Sequence, residues 1–139
     1  MGSVIEAIAT LEGKLRFSVR TGSGRIVVVD YPPPLGEGEG LMPSEALLAS
    51  LAACCGQVVA SLLRKMDQSI SGLEVRAAGE RREEHPTTFT AIDLEIAVSG
   101  KDLDPAKVEK AIALAEEKYS PVWAMLRASV PIRSSYRIV

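Results

Sequence analysis

One histidine, two cysteines and a formal net charge of −2 in 139 residues leave few routes to chemistry. His85 lies in 83-EEHPTT-88 and has no partner spacing. With only two adjacent cysteines beside it, no zinc set of standard geometry can be assembled, and no GxSxG-type elbow supports a serine hydrolase. The plain reading of His85 is a structural or solvated loop residue. Nothing in the sequence calls for a metal or a cofactor. Charged residues make up 24% of the chain and hydrophobic ones 47%, so there is neither a disordered charged tail nor a basic surface suited to phosphates. Nucleic acid is not an expected partner. The start, MGSVIEAIAT, lacks a basic flank, an apolar run of signal length and a small-residue cleavage pattern, which predicts a cytoplasmic protein.

What is present is one apolar segment with a thiol pair in its middle, 48-LASLAACCGQVVASLLRK-65. Pro43 suits a first helical turn, Glu45 suits the positive helix end, and aliphatic residues run on to Met66, so the pattern predicts a helix from Pro43 to Met66. Leu47, Leu51, Cys54, Val58 and Leu62 share one face; Leu48, Cys55, Val59 and Leu63 lie beside it. A helix this apolar needs cover nearly all round. The uncharged core of the segment, 46–63, falls short of the ~20 residues of a membrane span and carries Ser50, Gln57 and Ser61, so no membrane is expected. A second subunit is the expected cover, and with it a homodimer.

Around this helix the chain predicts strands. Val4–Leu11 is β-prone, Leu15, Phe17 and Val19 alternate with polar residues, and 25-RIVVVDY-31 returns after the turn 21-TGSG-24. Those glycines read as turn residues, not a phosphate loop, and PPPLGEGEGL reads as a connection. After 67-DQSISG-72, residues 73–84 and 88–98 read as two further strands. Asp104 and Pro105 start an amphipathic helix that stops or bends near Pro121, and a short piece, 122-VWAMLRA-128, precedes a last strand ending in Tyr136 and Ile138. The order βββ-α-ββ-α-β predicts one α+β domain over 1–139 with antiparallel sheets. The acidic pairs in 36-GEGEG-40, 83-EE-84 and 116-EE-117 fall in loops or on solvent faces.

The thiols are then the remaining candidates. Adjacent Cα atoms lie about 3.8 Å apart, whereas a relaxed disulfide needs roughly 4.4–6.8 Å, so Cys54 and Cys55 should not bridge each other within a helix. A cysteine on an apolar helix is more often a small core hydrophobe than a nucleophile.

The order of features resembles the OsmC/Ohr family, osmotically induced and organic hydroperoxide resistance proteins. The resemblance runs through 15-LRFSVRTGSGRIVVVD-30, 43-PSEALLASLAAC-54 followed by LLRKM, 73-LEVRAAGERREEHPTTFTAIDLEIAVSG-100 and 107-KVEKAIALAEEKYSPVWAML-126. It implies an OsmC-like fold with an intertwined homodimer, and reduction of organic or inorganic hydroperoxides by a cysteine eleven residues after the helix proline, which is Cys54 counted from Pro43. The resemblance makes Arg16 the basic residue of the site, with Lys14 as the alternate; an exposed strand charge is the other reading of either. The family's glutamate directly follows the proline, where this chain has Ser44, with Glu45 one residue later and equally suited to the helix dipole. The family's second cysteine corresponds to Ser120, which cannot form a disulfide. If the family geometry holds, Ser120 lies beside Cys54, and turnover needs an external thiol or lipoyl-type reductant. The alternative function is a non-peroxidatic member that binds a small hydrophobic molecule at the dimer interface.

Overall fold

In the computed structural model, which describes residues 2–139, the chain divides into two compact units, 1–47 and 48–139, whose boundary falls inside the long helix. In the first unit, β1 (Ala7–Leu11), β2 (Phe17–Thr21) and β3 (Ile26–Val29) form an antiparallel sheet in that order. The TGSG turn joins β2 to β3: the Gly24 N–H donates to the Thr21 carbonyl at 2.9 Å, and Gly24 takes φ +86°, a conformation in which a Cβ would be strained. Apolar side chains of this sheet, Ile8, Leu11 and Ile26 among them, are exposed in the single chain.

The loop after β3 is fastened by one carboxylate. Asp30 is buried and accepts from the backbone N–H groups of Tyr31 (2.7 Å), Glu37 (3.2 Å) and Glu39 (3.1 Å). Burial alone would raise its pKa; the three donors and the charge of Arg16 outweigh that, and the carboxyl is held below its ordinary value.

Helix α1 (Pro43–Lys65) begins as the sequence predicts, with Pro43 in its first turn and Glu45 Oε1 accepting the Met42 N–H at 2.9 Å, one half of a capping box. It ends in a Schellman arrangement: Asp67 takes φ +60° and the Gln68 N–H reaches back to the Leu63 carbonyl at 2.9 Å. At 23 residues the helix is long and apolar enough to cross a membrane by length and composition, which corrects the expectation that it is too short. Within the chain it is buried along one stripe, Leu51, Cys55, Val59 and Leu63, a residue every fourth position. Its other faces are half-buried or exposed, because the second unit offers it a single sheet face.

That sheet has the order β4 (Ile70–Arg81), β5 (Phe89–Gly100), β6 (Ile132–Ile138). The β4 ladder starts at Ile70, inside the segment expected to be a turn, because Ile70 pairs with Gly100 ahead of a bulge at residues 70–72. Ile92, Leu94, Ile96 and Val98 alternate inward along β5 and form one hydrophobic cluster with the α1 stripe, Val108, Ala111 and Ile112 of α2 (Pro105–Leu114), and Trp123. β4 and β5 are antiparallel, but β6 runs parallel to β5, so the expectation of purely antiparallel sheets is corrected. The helical connection between them is long enough to return the chain to the same end of the sheet, as a parallel pair requires.

That connection has three parts: α2, a π-helical turn (Ala115–Tyr119) and α3 (Pro121–Arg127). Asp104 caps α2 by accepting from the Ala106 N–H at 3.0 Å, as its spacing to Pro105 predicts. The helical run stops just before Pro121, as expected, but through a π turn at Ala115–Tyr119 that the sequence did not announce.

Candidate functional site

Ser120 reaches its position through backbone constraints on both sides. As the residue before Pro121 it is extended, φ −91° and ψ 105°, which ends the preceding helical run. Its N–H donates to the Ala115 carbonyl at 3.0 Å, closing the π turn, and its carbonyl accepts from Ala124 N–H at 3.0 Å, opening α3. The Arg127 guanidinium folds back from α3 to the Glu116 carbonyl at 2.6 Å and satisfies one of the acceptors that the widened turn leaves. The Ser120 side chain is then the N-cap of α3, accepting from the Trp123 N–H at 3.3 Å.

From there the Ser120 hydroxyl contacts Cys54, 66 residues earlier, with Oγ 3.1 Å from Sγ. Ser120 is 1% exposed while Cys54 is half-buried, so a buried hydroxyl meets a thiol on a residue that is only partly enclosed. Both cysteines are free thiols. Cys55 differs from its neighbour: it is fully buried in the α1 stripe, and burial first, then proximity to Cys54, pushes its thiol up to about 12. At neutral pH Cys55 is a protonated core side chain.

The other sequence candidates lie in the first unit. Arg16 pairs with Glu37 at 3.2 Å and donates to the Glu12 carbonyl at 3.1 Å; Lys14 Nζ donates to the Pro34 carbonyl at 3.3 Å. Glu45 is engaged at the start of α1 through the Met42 N–H. Arg16 is thus held by the loop that Asp30 organises, a role for Asp30 and Glu37 that the sequence reading missed. Its one signal is an acidic residue ending an apolar strand directly before 31-YPPP-34. Also missed was Trp123, wholly buried, whose indole Nε1 has no hydrogen-bond partner among the described residues. No cluster of three or more His, Cys, Asp or Glu side chains suited to a metal occurs among the described residues.

Comparison with known proteins bears on the family and the fold. The family model described as OsmC-like protein matches residues 36–135. Protein YhfA of Escherichia coli is 41% identical over 97 residues, which are 70% of this chain and 72% of that one. The crystal structure of a hypothetical protein from Aquifex aeolicus VF5 superposes with a TM-score of 0.88 at 30% identity, covering 99% of this chain and 98% of the other. An organic hydroperoxide resistance protein OsmC from Legionella pneumophila shares the fold at 20% identity and a TM-score of 0.69, covering 97% and 98% of the two chains. A match over most of the length, together with a relative at this level of identity, establishes that the chain belongs to the OsmC-like protein family.

Proposed function

We propose that this protein is a single-thiol hydroperoxide reductase in which Cys54 is the nucleophile. The observation that carries the reading is the contrast between two adjacent thiols: Cys54 half-buried with its sulfur 3.1 Å from the Ser120 hydroxyl, Cys55 enclosed and protonated. Family membership and the fold shared with an organic hydroperoxide resistance protein support a peroxide substrate.

In the reaction, the Cys54 thiolate attacks one oxygen of the peroxide. The S–O bond forms as the O–O bond breaks; sulfur is oxidised to a sulfenic acid, the peroxide is reduced, and the departing alkoxide takes a proton to leave as the alcohol. No second thiol faces Cys54 from position 120, so an external dithiol of lipoyl type completes the cycle. Its first sulfur displaces the hydroxyl as water to give a mixed disulfide, and its second releases Cys54 and leaves as the oxidised dithiol. Arg16, with Lys14 as its alternate, is the basic group this reading assigns to the thiolate and peroxide. A second copy of the chain covers the exposed apolar faces of α1 and of the β1–β3 sheet.

The direct test is to treat the purified protein with one equivalent of an organic hydroperoxide and locate a dimedone-trapped sulfenic acid by mass spectrometry. The expected adduct is on Cys54 alone. No adduct on Cys54, with the thiol intact, would favour a family member that binds a small hydrophobic molecule without reducing peroxides.

A further inference from the structure

We propose that Ser120 is a catalytic residue: its hydroxyl is the hydrogen-bond donor that holds the Cys54 thiolate, and it occupies the place of a resolving thiol without acting as one. The inference rests on Cys54 being the reactive sulfur, but it concerns a different atom and a measurement that needs no peroxide.

Hydrogen-bond directions at Ser120 carry it. A serine hydroxyl has one donor hydrogen and two acceptor lone pairs. One acceptor site is taken by the Trp123 N–H at 3.3 Å, which leaves the hydrogen free to point elsewhere. The polar neighbour at hand is Cys54 Sγ, 3.1 Å away. A thiolate can only accept, so in the reactive form of the site the Ser120 O–H must be the donor. At 1% exposure the residue has almost no access to water that would compete for that hydrogen, and its backbone is fixed by the π turn on one side and α3 on the other. The donor is therefore already aimed before the thiolate forms, a preorganised arrangement that costs no reorientation when charge develops on sulfur.

The same geometry bears on the oxidised site. A hydroxyl cannot displace the sulfenic oxygen to form a disulfide, but it can hydrogen-bond to that oxygen. Oxidised Cys54 then waits beside Ser120 for an outside dithiol, and no internal bridge closes it off.

Alkylation of Cys54 by iodoacetamide, followed across pH 6–11 by peptide mass spectrometry, separates this role from helix capping. Removing the donor costs the thiolate one charge-assisted hydrogen bond, worth about tenfold at the lower range for a bond to a charged group. The thiolate that does form is less stabilised and more nucleophilic, with a Brønsted slope of about 0.4–0.5, so part of the loss returns in the intrinsic rate. Ser120→Ala should therefore alkylate roughly threefold more slowly than wild type at pH 7 and roughly threefold faster on the alkaline plateau, by the same slope. Ser120→Thr, which keeps the hydroxyl, should follow the wild-type curve. Ser120→Gly, tolerated at an N-cap with little cost, should follow Ser120→Ala and decides the matter if the alanine variant misfolds. If folded Ser120→Ala or Ser120→Gly gives the wild-type profile, Ser120 is a helix cap only and the proposal is wrong. Crossing profiles in a protein that fails to reduce hydroperoxide would uphold the donor and sink the peroxidase reading; peroxide reduction with unchanged profiles would do the reverse.

Discussion

Cys54 and Cys55 are consecutive residues of one helix, yet Cys55 points into the hydrophobic cluster with Leu51, Val59 and Leu63 while Cys54 meets the Ser120 hydroxyl. One step along a helix turns a side chain by about 100°, enough here to separate a core position from one that meets a polar partner.

The two thiols should therefore respond differently to substitution. Cys54→Ser is expected to abolish reaction with organic hydroperoxide, whereas Cys55→Ala should keep it and lose about 1 kcal/mol of stability through a small cavity. Because the folded state holds the Cys55 proton up to about 12, wild-type stability should fall as the pH rises from about 9, where the unfolded thiol ionises, toward that value. Cys55→Ala should show a shallower alkaline loss in thermal melts at pH 8 to 11. Equal loss of peroxide reactivity in both folded variants would overturn the division of roles.

Placing a thiol at position 120 tests the geometry of the pair. With Oγ already 3.1 Å from the Cys54 sulfur, Ser120→Cys needs little movement to place two sulfurs in bonding range. Mild peroxide should give an intramolecular disulfide between Cys54 and the introduced thiol, seen as a loss of two hydrogens in the intact mass. The variant should cost about 1 kcal/mol when reduced, because cysteine is a weaker N-cap than serine. Accumulation of sulfinic acid on Cys54 with no bridge would show that the site does not bring the two positions together in solution.

Asp30 gives a pH signature of the opposite sign. Its folded-state pKa lies below the unfolded value near 3.9, so its contribution is fully present above that pH and is lost as the pH falls through the lower folded value. Asp30→Asn should melt at a lower temperature than wild type at pH 7, since an amide satisfies three converging N–H donors less well. The gap should narrow as the pH falls below the unfolded value near 3.9. A gap that stayed constant down to pH 2 would show that the ionised form of Asp30 is not what fastens the loop.

The exposed apolar side chains of α1 and of the β1–β3 sheet require cover. Light scattering at micromolar concentration should return twice the 14.8 kDa of a single chain. A stable monomer under those conditions would count against a second copy as the cover, and with it against an interface pocket for any ligand.

Much of this arrangement was legible in the sequence, and the exceptions share a cause. α1 could be read from Pro43, Glu45 and an unbroken apolar run, and α2 from Asp104-Pro105, because caps and periodicity are local signals. The closeness of Ser120 to Cys54 followed from a family resemblance and not from any local pattern. The parallel run of β6 was invisible, since the alternation in a strand carries no record of its direction. The π turn was equally hidden: AEEKY has ordinary helix-forming composition, and the widening shows only where the Ser120 N–H reaches back five residues to the Ala115 carbonyl. The role of Asp30 was hidden because the three N–H groups it gathers come from a loop that has no pattern of its own.

The π turn at Ala115–Tyr119 also acts as a phase setting. Each residue added to a helix rotates the next position by about 100° and moves it 1.5 Å along the axis, so the angular position of residue 120 depends on how many residues precede it. Removing one residue from the turn would return it to ordinary α-helix and swing the hydroxyl off the sulfur without altering any side chain in the site. The pairing of positions 54 and 120 is thus encoded in a count, whereas the chemistry between them is encoded in one atom. Oxygen or sulfur can stand at position 120 over the same frame, so a single substitution changes the partner offered to Cys54 while the count stays the same.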